Sequence, residues 1–169
     1  MPLRPRTRLV RKRIGSLKWP NDVWLRGRKV SGMIAEAVTD RRGELSCVLL
    51  GIGINVNLAA SDIPDELRDR ATSVRIATGR ACDRIELANS LFSLLDSRYM
   101  EVLTAGFAAV RPAWERYSAL TGKRVAIVDG RRQSGLVQGI DDDGALILDL
   151  GDRVERIVAG EVTVEGAYT

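Results

Sequence analysis

The chain of 169 residues contains no histidine and only two cysteines. The absence of histidine excludes Ser-His-Asp and Cys-His catalytic arrangements and every histidine-ligated metal site. Cys47 and Cys82 form no CxxC pair, so the sequence predicts neither a structural zinc site nor a disulfide framework. Chemistry in this chain must therefore rest on lysine, carboxylates, amides and backbone groups, a set that suits anionic substrates.

Long apolar runs are also missing. None approaches the roughly 18 residues needed to cross a bilayer, and the first residues lack the apolar core of a secretory signal. Hydrophobic residues make up 45% and charged residues 28% of the chain, which is typical of a globular rather than a disordered protein. We therefore expect a cytoplasmic protein with no membrane partner.

The net charge of +4 is concentrated at the start of the chain. Six basic residues and no acidic residue occur within the first 13 positions: Arg4, Arg6, Arg8, Arg11, Lys12 and Arg13. Such a cluster is compatible with a solvated surface, a contact to nucleic acid or phosphate, or an organellar address. No helix-turn-helix pattern accompanies it, so we expect no DNA-binding domain in this chain.

The first part of the chain predicts strands followed by a long helix. Short strands are indicated at 23–25 and 30–38, and the apolar run Leu45–Ile54 is typical of a central strand buried on both faces. Asp83 and Glu86 have capping-box spacing, and apolar residues then recur every three or four positions until Gly106. This pattern predicts a helix that packs on the Leu45–Ile54 strand.

The sequence pattern changes after Gly122. Short strands are predicted at 123–129, 133–140, 145–150 and 154–158, separated by turns rich in Asp and Gly. Nearly regular short strands of this kind indicate a small closed or half-open β-barrel. We place a domain boundary near Thr121, which divides the chain into 1–120 and 121–169.

The segment 18–22 (KWPND) carries the most unusual set of polar groups. Lys18 supplies a point charge suited to a phosphate, Asn21 offers both a donor and an acceptor, and Asp22 adds a fixed negative charge. An ordinary turn at the start of a strand explains the same residue types. The spacing alone leaves both interpretations open.

Two further segments have comparable features. In segment 28–32 (RKVSG), Lys29 could stabilise the charge that develops when a carboxylate attacks a phosphate, and Gly32 could admit a ligand close to the backbone. The alternative is a solvent-exposed hairpin lysine. In segment 51–55 (GIGIN), two glycines would admit a flat ligand whose edge Asn55 contacts, or they mark a bulge. The third glycine of the dinucleotide-binding fingerprint is missing.

Taken in this order, KWPND, RKVSG and GIGIN resemble the core of the biotin protein ligases. The resemblance extends from Leu17 through the long helix into the tail, where GKRV, DDGAL and GEV are similar to that family's C-terminal domain. It implies an α+β fold: an incomplete mixed β-sheet catalytic domain packed with helices at 1–120, followed by a small SH3-like β-barrel at 121–169.

The resemblance also implies a reaction. Ligases of this family use ATP to activate biotin as biotinyl-5'-AMP, with Mg²⁺, and transfer the biotin to a lysine of a biotin carboxyl carrier protein. Lys29 then corresponds to a catalytic residue that also binds biotin, and Gly32 lines the biotin pocket. Four residues correspond to ATP-binding positions: Lys18, Asn21, Asp22 and Asn55. Glu161 is a further candidate to reach the nucleotide, and no residue is assigned to a metal.

One family feature is not found ahead of Lys18: a Gly/Arg-rich loop of the form GRGRxGR that closes over the intermediate. We therefore expect an N-terminally truncated ligase with little activity on its own, since a missing lid would admit water. Missing strands would leave an apolar sheet edge that favours association, and a homodimer is one expected assembly. The alternative is a non-catalytic fragment that binds a partner and carries a vestigial nucleotide site.

Overall fold

The structure is a computed structural model that describes residues 14–129 and 131–165. The basic cluster predicted at the start of the chain lies outside these residues. Within the described ranges the chain forms two antiparallel β-sheets connected by helices. No helix in these ranges combines the length and the apolar character needed to cross a membrane.

The first sheet contains four strands in chain order: β1 (Gly15–Lys18), β2 (Asp22–Leu25), β3 (Arg28–Thr39) and β4 (Leu45–Ile54). Each strand is antiparallel to its neighbour, so the prediction of a mixed sheet is wrong for the described residues. Tight turns connect the strands, and the turn at Arg26-Gly27 has positive φ angles of 51° and 81°. Hairpin turns of this kind require antiparallel partners.

The apolar strand β4 lies at the edge of the first sheet. Leu45, Val48, Leu49 and Leu50 are each about half exposed, so the prediction of a strand buried on both faces is wrong. An apolar run indicates that a strand is suited to burial, but it does not show which part of the molecule packs against it. In the described residues α2 approaches only the second half of β4.

Three α-helices follow: α1 (Val74–Thr78), α2 (Arg84–Ala105) and α3 (Arg111–Tyr117). The predicted start of the long helix is confirmed, because the Asp83 carboxylate accepts hydrogen bonds from the backbone N–H groups of Ile85 (2.7 Å) and Glu86 (3.1 Å). The helix ends at Gly106, whose φ is 74°. Both boundaries follow from local backbone chemistry.

The second sheet has the strand order β8-β7-β6-β5-β9. Its strands are β5 (Arg124–Asp129), β6 (Arg131–Ile140), β7 (Leu146–Asp149), β8 (Val154–Ile157) and β9 (Glu161–Val164). Within the described residues the outer strands β8 and β9 do not pair and the sheet does not close, so the SH3-like barrel is not confirmed. Strand β9 was not predicted, and the boundary near Thr121 stays a prediction.

Trp19 connects the two sheets. This residue directly follows β1 of the first sheet. Its side chain is only 4% exposed and packs in the core formed mainly by the second sheet. The indole N–H donates to the Gly144 carbonyl oxygen at 3.0 Å, and the Ala119 N–H donates to the Leu17 carbonyl oxygen at 2.7 Å. The KWPND segment is therefore held in place by the C-terminal part of the chain.

Replacement of Trp19 by alanine should destabilise the protein by about 3–5 kcal/mol, because it leaves a cavity in the shared core and an unpaired carbonyl at Gly144. Urea denaturation followed by circular dichroism measures the loss. Phe92→Ala removes an aromatic side chain that is 59% exposed and should cost less than about 1 kcal/mol. Equal effects of the two variants would contradict the role assigned to Trp19.

Candidate active site

Asp22 lies between two lysine ammonium groups. Lys29 Nζ is 2.5 Å from Asp22 Oδ1, and Lys18 Nζ is 3.9 Å from Asp22 Oδ2. The side chains of Asp22 and Lys18 are only 13% and 16% exposed, whereas that of Lys29 is 49% exposed. The three groups carry a net charge of +1, and the Lys29 ammonium is the most accessible of them.

Burial is the main influence on the pKa of the Lys18 ammonium group. Loss of hydration lowers the pKa of the Lys18 ammonium group below its usual value. The carboxylates of Asp22 and Glu161 counteract this effect, while the positive charge of Lys29 adds to it. Lys18 is therefore a cation whose charge depends on neighbouring carboxylates.

Gly32 leaves space for the Lys29 side chain. Gly32 is the cross-strand partner of Asp22, and a Cβ atom at position 32 would lie 3.1 Å from both Cε and Nζ of Lys29. A side chain at this position would require the end of the Lys29 side chain to shift by a few tenths of an ångström. The glycine therefore allows the close approach of Lys29 to this strand.

Gly32, Gly51 and Gly53 form a glycine row on the same face of the sheet. Gly32 is directly opposite Gly53, and Ile34 is opposite Gly51. Directly opposed residues of an antiparallel pair project to the same face. The β3–β4 register is regular from Ser31 to Val38, so the bulge interpretation of the two glycines in GIGIN is wrong. The row leaves the backbone uncovered at Gly32 and Gly53, beside the Lys29 ammonium, while the Ile34 side chain projects from the same face next to Gly51.

Packing within the described residues does not explain the glycines at 51 and 53. A Cβ atom at Gly51 would lie 3.8 Å from the Ile34 carbonyl oxygen, and one at Gly53 would lie 3.8 Å from the Gly32 carbonyl oxygen. Both distances are ordinary van der Waals contacts. Space above the backbone for another molecule is a physical reason for these two glycines.

Asn21 and Asn55 have side-chain amides that are already hydrogen-bonded to the protein. Asn21 Nδ2 donates to the Met33 carbonyl oxygen at 2.7 Å, and Asn55 Nδ2 donates to the Thr72 carbonyl oxygen at 3.1 Å. These bonds secure backbone segments around the lysines, because Thr72 N–H also donates to the Lys29 carbonyl oxygen at 2.8 Å. Their predicted contacts with ATP stay predictions.

The lysines open into an inter-sheet cleft of about 680 Å³. Lys18, Asp22 and Lys29 line it from the first sheet, and Lys123 and Glu161 line it from the C-terminal part of the chain. The structure thus brings Glu161 to the same cleft as the lysines of KWPND and RKVSG. Both parts of the chain contribute cationic groups to the cleft.

Asn55 lies in a different depression, the α2 groove, which measures about 560 Å³. Apolar side chains of β4 and α2 line most of it: Leu50, Ile52, Ile54, Leu87 and Leu91. Residues of even number in β4 project toward this groove, while the glycine row lies on the opposite face. The structure therefore unites the predicted residues Lys18, Asp22, Lys29 and Gly32 and places Asn55 apart from the inter-sheet cleft.

Sequence reasoning did not identify Lys123, Arg70 or Trp24, which also line the inter-sheet cleft. Lys123 is 94 positions from Lys29 in the chain, and no local pattern connects them. Trp24 could have been found, because it is an aromatic residue in a strand next to KWPND. Its ring centroid is 5.8 Å from Lys18 Nζ, which adds a cation–π contact.

Comparison with known proteins matches two parts of the chain to family models. Residues 8–55 match the Biotin/lipoate A/B protein ligase family, and residues 120–164 match the Biotin protein ligase C terminal domain. Together the two matches cover more than half of the chain. The chain belongs to the biotin protein ligase family. The second match distinguishes biotin ligases within the wider group that the first match describes.

Relatives of this ligase-family chain include two curated bacterial proteins. The Bifunctional ligase/repressor BirA of Bacillus subtilis is 34% identical over 148 residues, which cover 86% of this chain and 45% of the relative. The Biotin--[acetyl-CoA-carboxylase] ligase of Paracoccus denitrificans is 36% identical over 137 residues, which cover 79% and 56%. The chain thus spans about half the length of the curated relatives it matches.

Solved structures of a related ligase share the fold of this ligase-family chain. The biotin protein ligase from Aquifex aeolicus in complex with biotin and ATP has a TM-score of 0.75 and 29% sequence identity, and the match covers 89% of this chain and 61% of that chain. The apo structure of the same ligase gives a TM-score of 0.78. The two antiparallel sheets described above therefore have a biotin ligase fold.

Asp22→Asn should lower the pKa of Lys18 further, because Asp22 is the main carboxylate that favours its protonated form. Lys29→Gln should raise the pKa of Lys18, since it removes a neighbouring positive charge. The chain has only four lysines, so ¹³Cε chemical-shift titration of ¹³C-lysine-labelled protein can follow each of them. A pKa of Lys18 that does not change in Asp22→Asn would contradict the electrostatic coupling.

Proposed function

We propose that this chain carries the activation chemistry of a biotin protein ligase, in which the biotin carboxylate attacks the α-phosphate of ATP. Pyrophosphate leaves, and biotinyl-5'-AMP then transfers its biotin to a lysine of a biotin carboxyl carrier protein. The observation that carries the proposal is the position of the Lys29 ammonium at one end of the glycine row and on the inter-sheet cleft. Family membership supports the same reaction.

The chemistry needs charge neutralisation more than proton transfer. A carboxylate and a phosphate are both anionic, so their approach is unfavourable until cations lie beside them. Lys29 and Lys18 supply two cations within 4 Å of a single carboxylate, and Asp22 fixes their positions. A histidine-free chain is sufficient for such a reaction.

The glycine row suits the flat ring system of biotin. In the proposed arrangement the ring lies on the backbone at Gly32 and Gly53, and its carboxylate extends toward Lys29. ATP then enters through the inter-sheet cleft, where Lys18 is close to its α-phosphate. Asn21, Asp22 and Asn55 act mainly by holding the backbone and the lysines in place, with the adenine contact of Asn55 retained as a proposal.

Mg²⁺ is proposed to enter with ATP. Among the described residues no group of three or more His, Cys, Asp or Glu side chains could hold a metal by itself. Mg²⁺ usually binds through one or two carboxylates together with substrate phosphates. Asp69 and Glu161 offer carboxylate oxygens on the inter-sheet cleft, so the residues present fit a magnesium ion bound to a nucleotide.

The location and assembly of the protein are proposals of the same kind. A cytoplasmic location suits a reaction that consumes ATP. The exposed strand β4 is uncharged along its length and contains no proline, so pairing with a second copy is a further proposal. We also propose that the second sheet corresponds to an SH3-like domain.

Lys29→Gln should weaken biotin binding at least about tenfold, because a hydrogen bond to a charged group contributes about 1.5–3 kcal/mol. Isothermal titration calorimetry with biotin measures this loss. Arg98→Gln removes a positive charge on α2, where Arg98 pairs with Glu101, and should bind biotin like the unchanged chain.

The calorimetry also separates the ligase from a partner-binding fragment. A chain that binds neither biotin nor ATP would refute the ligase proposal and favour a vestigial site. If Lys29→Gln binds biotin as tightly as the unchanged chain, the proposal that the protein binds biotin stands. Only the role assigned to Lys29 is then refuted.

Gly53→Val should abolish detectable biotin binding while ATP binding changes less than about threefold, since the added side chain occupies the surface of the glycine row. Valine is favourable in strands, and the first added carbon has only an ordinary contact, so the variant should fold. Calorimetry with each ligand, together with a thermal melt, tests this. Unchanged biotin affinity would exclude the glycine row as the ring site.

A further inference from the structure

Lys123 is an exposed cation that lines the same inter-sheet cleft as Lys18 and Lys29. Its backbone is held at both ends, because its N–H donates to the Leu120 carbonyl oxygen and its carbonyl oxygen accepts from Val137 N–H, each at 2.9 Å. Strand β5 begins at the next residue. The side chain therefore extends from a rigid position and not from a loose loop.

Lys123 forms no ion pair with any side chain that the structure describes. No carboxylate among these side chains lies within 4.0 Å of its ammonium group. Lys18 and Lys29 differ in this respect, because both contact Asp22. An uncompensated cation on a cleft wall attracts an anion from solution.

The cations around Asp22 do not by themselves match the charge of a triphosphate. The Lys18–Asp22–Lys29 group carries +1, and the proposed function assigns this charge to the biotin carboxylate and the α-phosphate. The β- and γ-phosphates carry about three of the four negative charges of ATP, which is more than one Mg²⁺ neutralises. Lys123 lines the same cleft as Lys18, so it is a candidate for the remaining charge.

We propose that Lys123 binds the β- and γ-phosphates of ATP and the pyrophosphate that leaves. The inference rests on the proposed function and adds a residue from the C-terminal part of the chain to the reaction. A biotin carboxylate oxygen forms a bond to the α-phosphorus, the bond from that phosphorus to the bridging oxygen breaks, and its electron pair leaves on pyrophosphate. Lys123 remains protonated throughout and stabilises the leaving charge.

Arg124 provides a matched control beside Lys123. The Arg124 Nε atom lies 3.8 Å from the Glu165 carboxylate, and Arg124 does not line the inter-sheet cleft. Lys123→Gln and Arg124→Gln remove the same charge at neighbouring positions, so a difference between them isolates the cleft contact from the net charge of the protein.

The test is isothermal titration calorimetry of the full chain with ATP, inorganic pyrophosphate, AMP and biotin as separate ligands. Lys123→Gln should weaken binding of ATP and pyrophosphate about tenfold or more, because a charge-assisted hydrogen bond is lost. Its affinity for AMP and biotin should stay within about twofold of the unchanged chain. Lys123→Arg should retain most of the affinity for ATP, and Arg124→Gln should behave like the unchanged chain.

Two results would overturn the inference. One is a Lys123→Gln variant that binds pyrophosphate as tightly as the unchanged chain. The other is an equal loss for all four ligands, which would indicate a structural role of Lys123. If the unchanged chain binds neither biotin nor ATP, the proposed function itself fails and the inference fails with it. If it binds both while Lys123→Gln has no effect, only the role of Lys123 fails.

Discussion

The position of the Trp19 side chain is the constraint on which the candidate active site depends. Trp19 belongs to the KWPND segment, yet its indole ring is buried in the core of the second sheet and donates to Gly144. Lys18 directly precedes this anchored residue in the sequence, and Asp22 follows it by three positions. Because the anchor is buried, the lysine and the carboxylate have fixed positions relative to the C-terminal wall of the inter-sheet cleft. The C-terminal part of the chain therefore contributes to the geometry of the site even where it does not line it.

The electrostatics of the site follow from this geometry. An ammonium group as buried as Lys18 loses hydration, which lowers its pKa, and Asp22 limits that loss. Asp22 in turn holds the Lys29 ammonium, which stays half exposed and available to a substrate. A single carboxylate thus holds two lysine side chains close together. Such an arrangement is costly to build from a flexible loop, which is a physical reason for its place on antiparallel strands that fix the register.

Local patterns predicted the parts of the fold that local interactions control. The start of α2 depends on Asp83 and two backbone N–H groups within three residues, and the order of the first strands depends on tight turns. The burial of β4 could not be predicted, because an apolar run does not specify what covers it. Lys18, Asp22, Lys29 and Gly32 could be selected from their motifs and do lie together. Lys123 could not, because it reaches the inter-sheet cleft only through tertiary packing.

In the proposed reaction, the cations occupy two separate places in the inter-sheet cleft. If all the cations lay around Asp22, ATP would compete with the biotin carboxylate for the same positive charge. With Lys123 as the proposed partner of the terminal phosphates, Lys29 would stay free for the carboxylate. The α-phosphate would then lie between the two, with the attacking oxygen on one side and the leaving oxygen on the other. This is the in-line geometry that displacement at phosphorus requires.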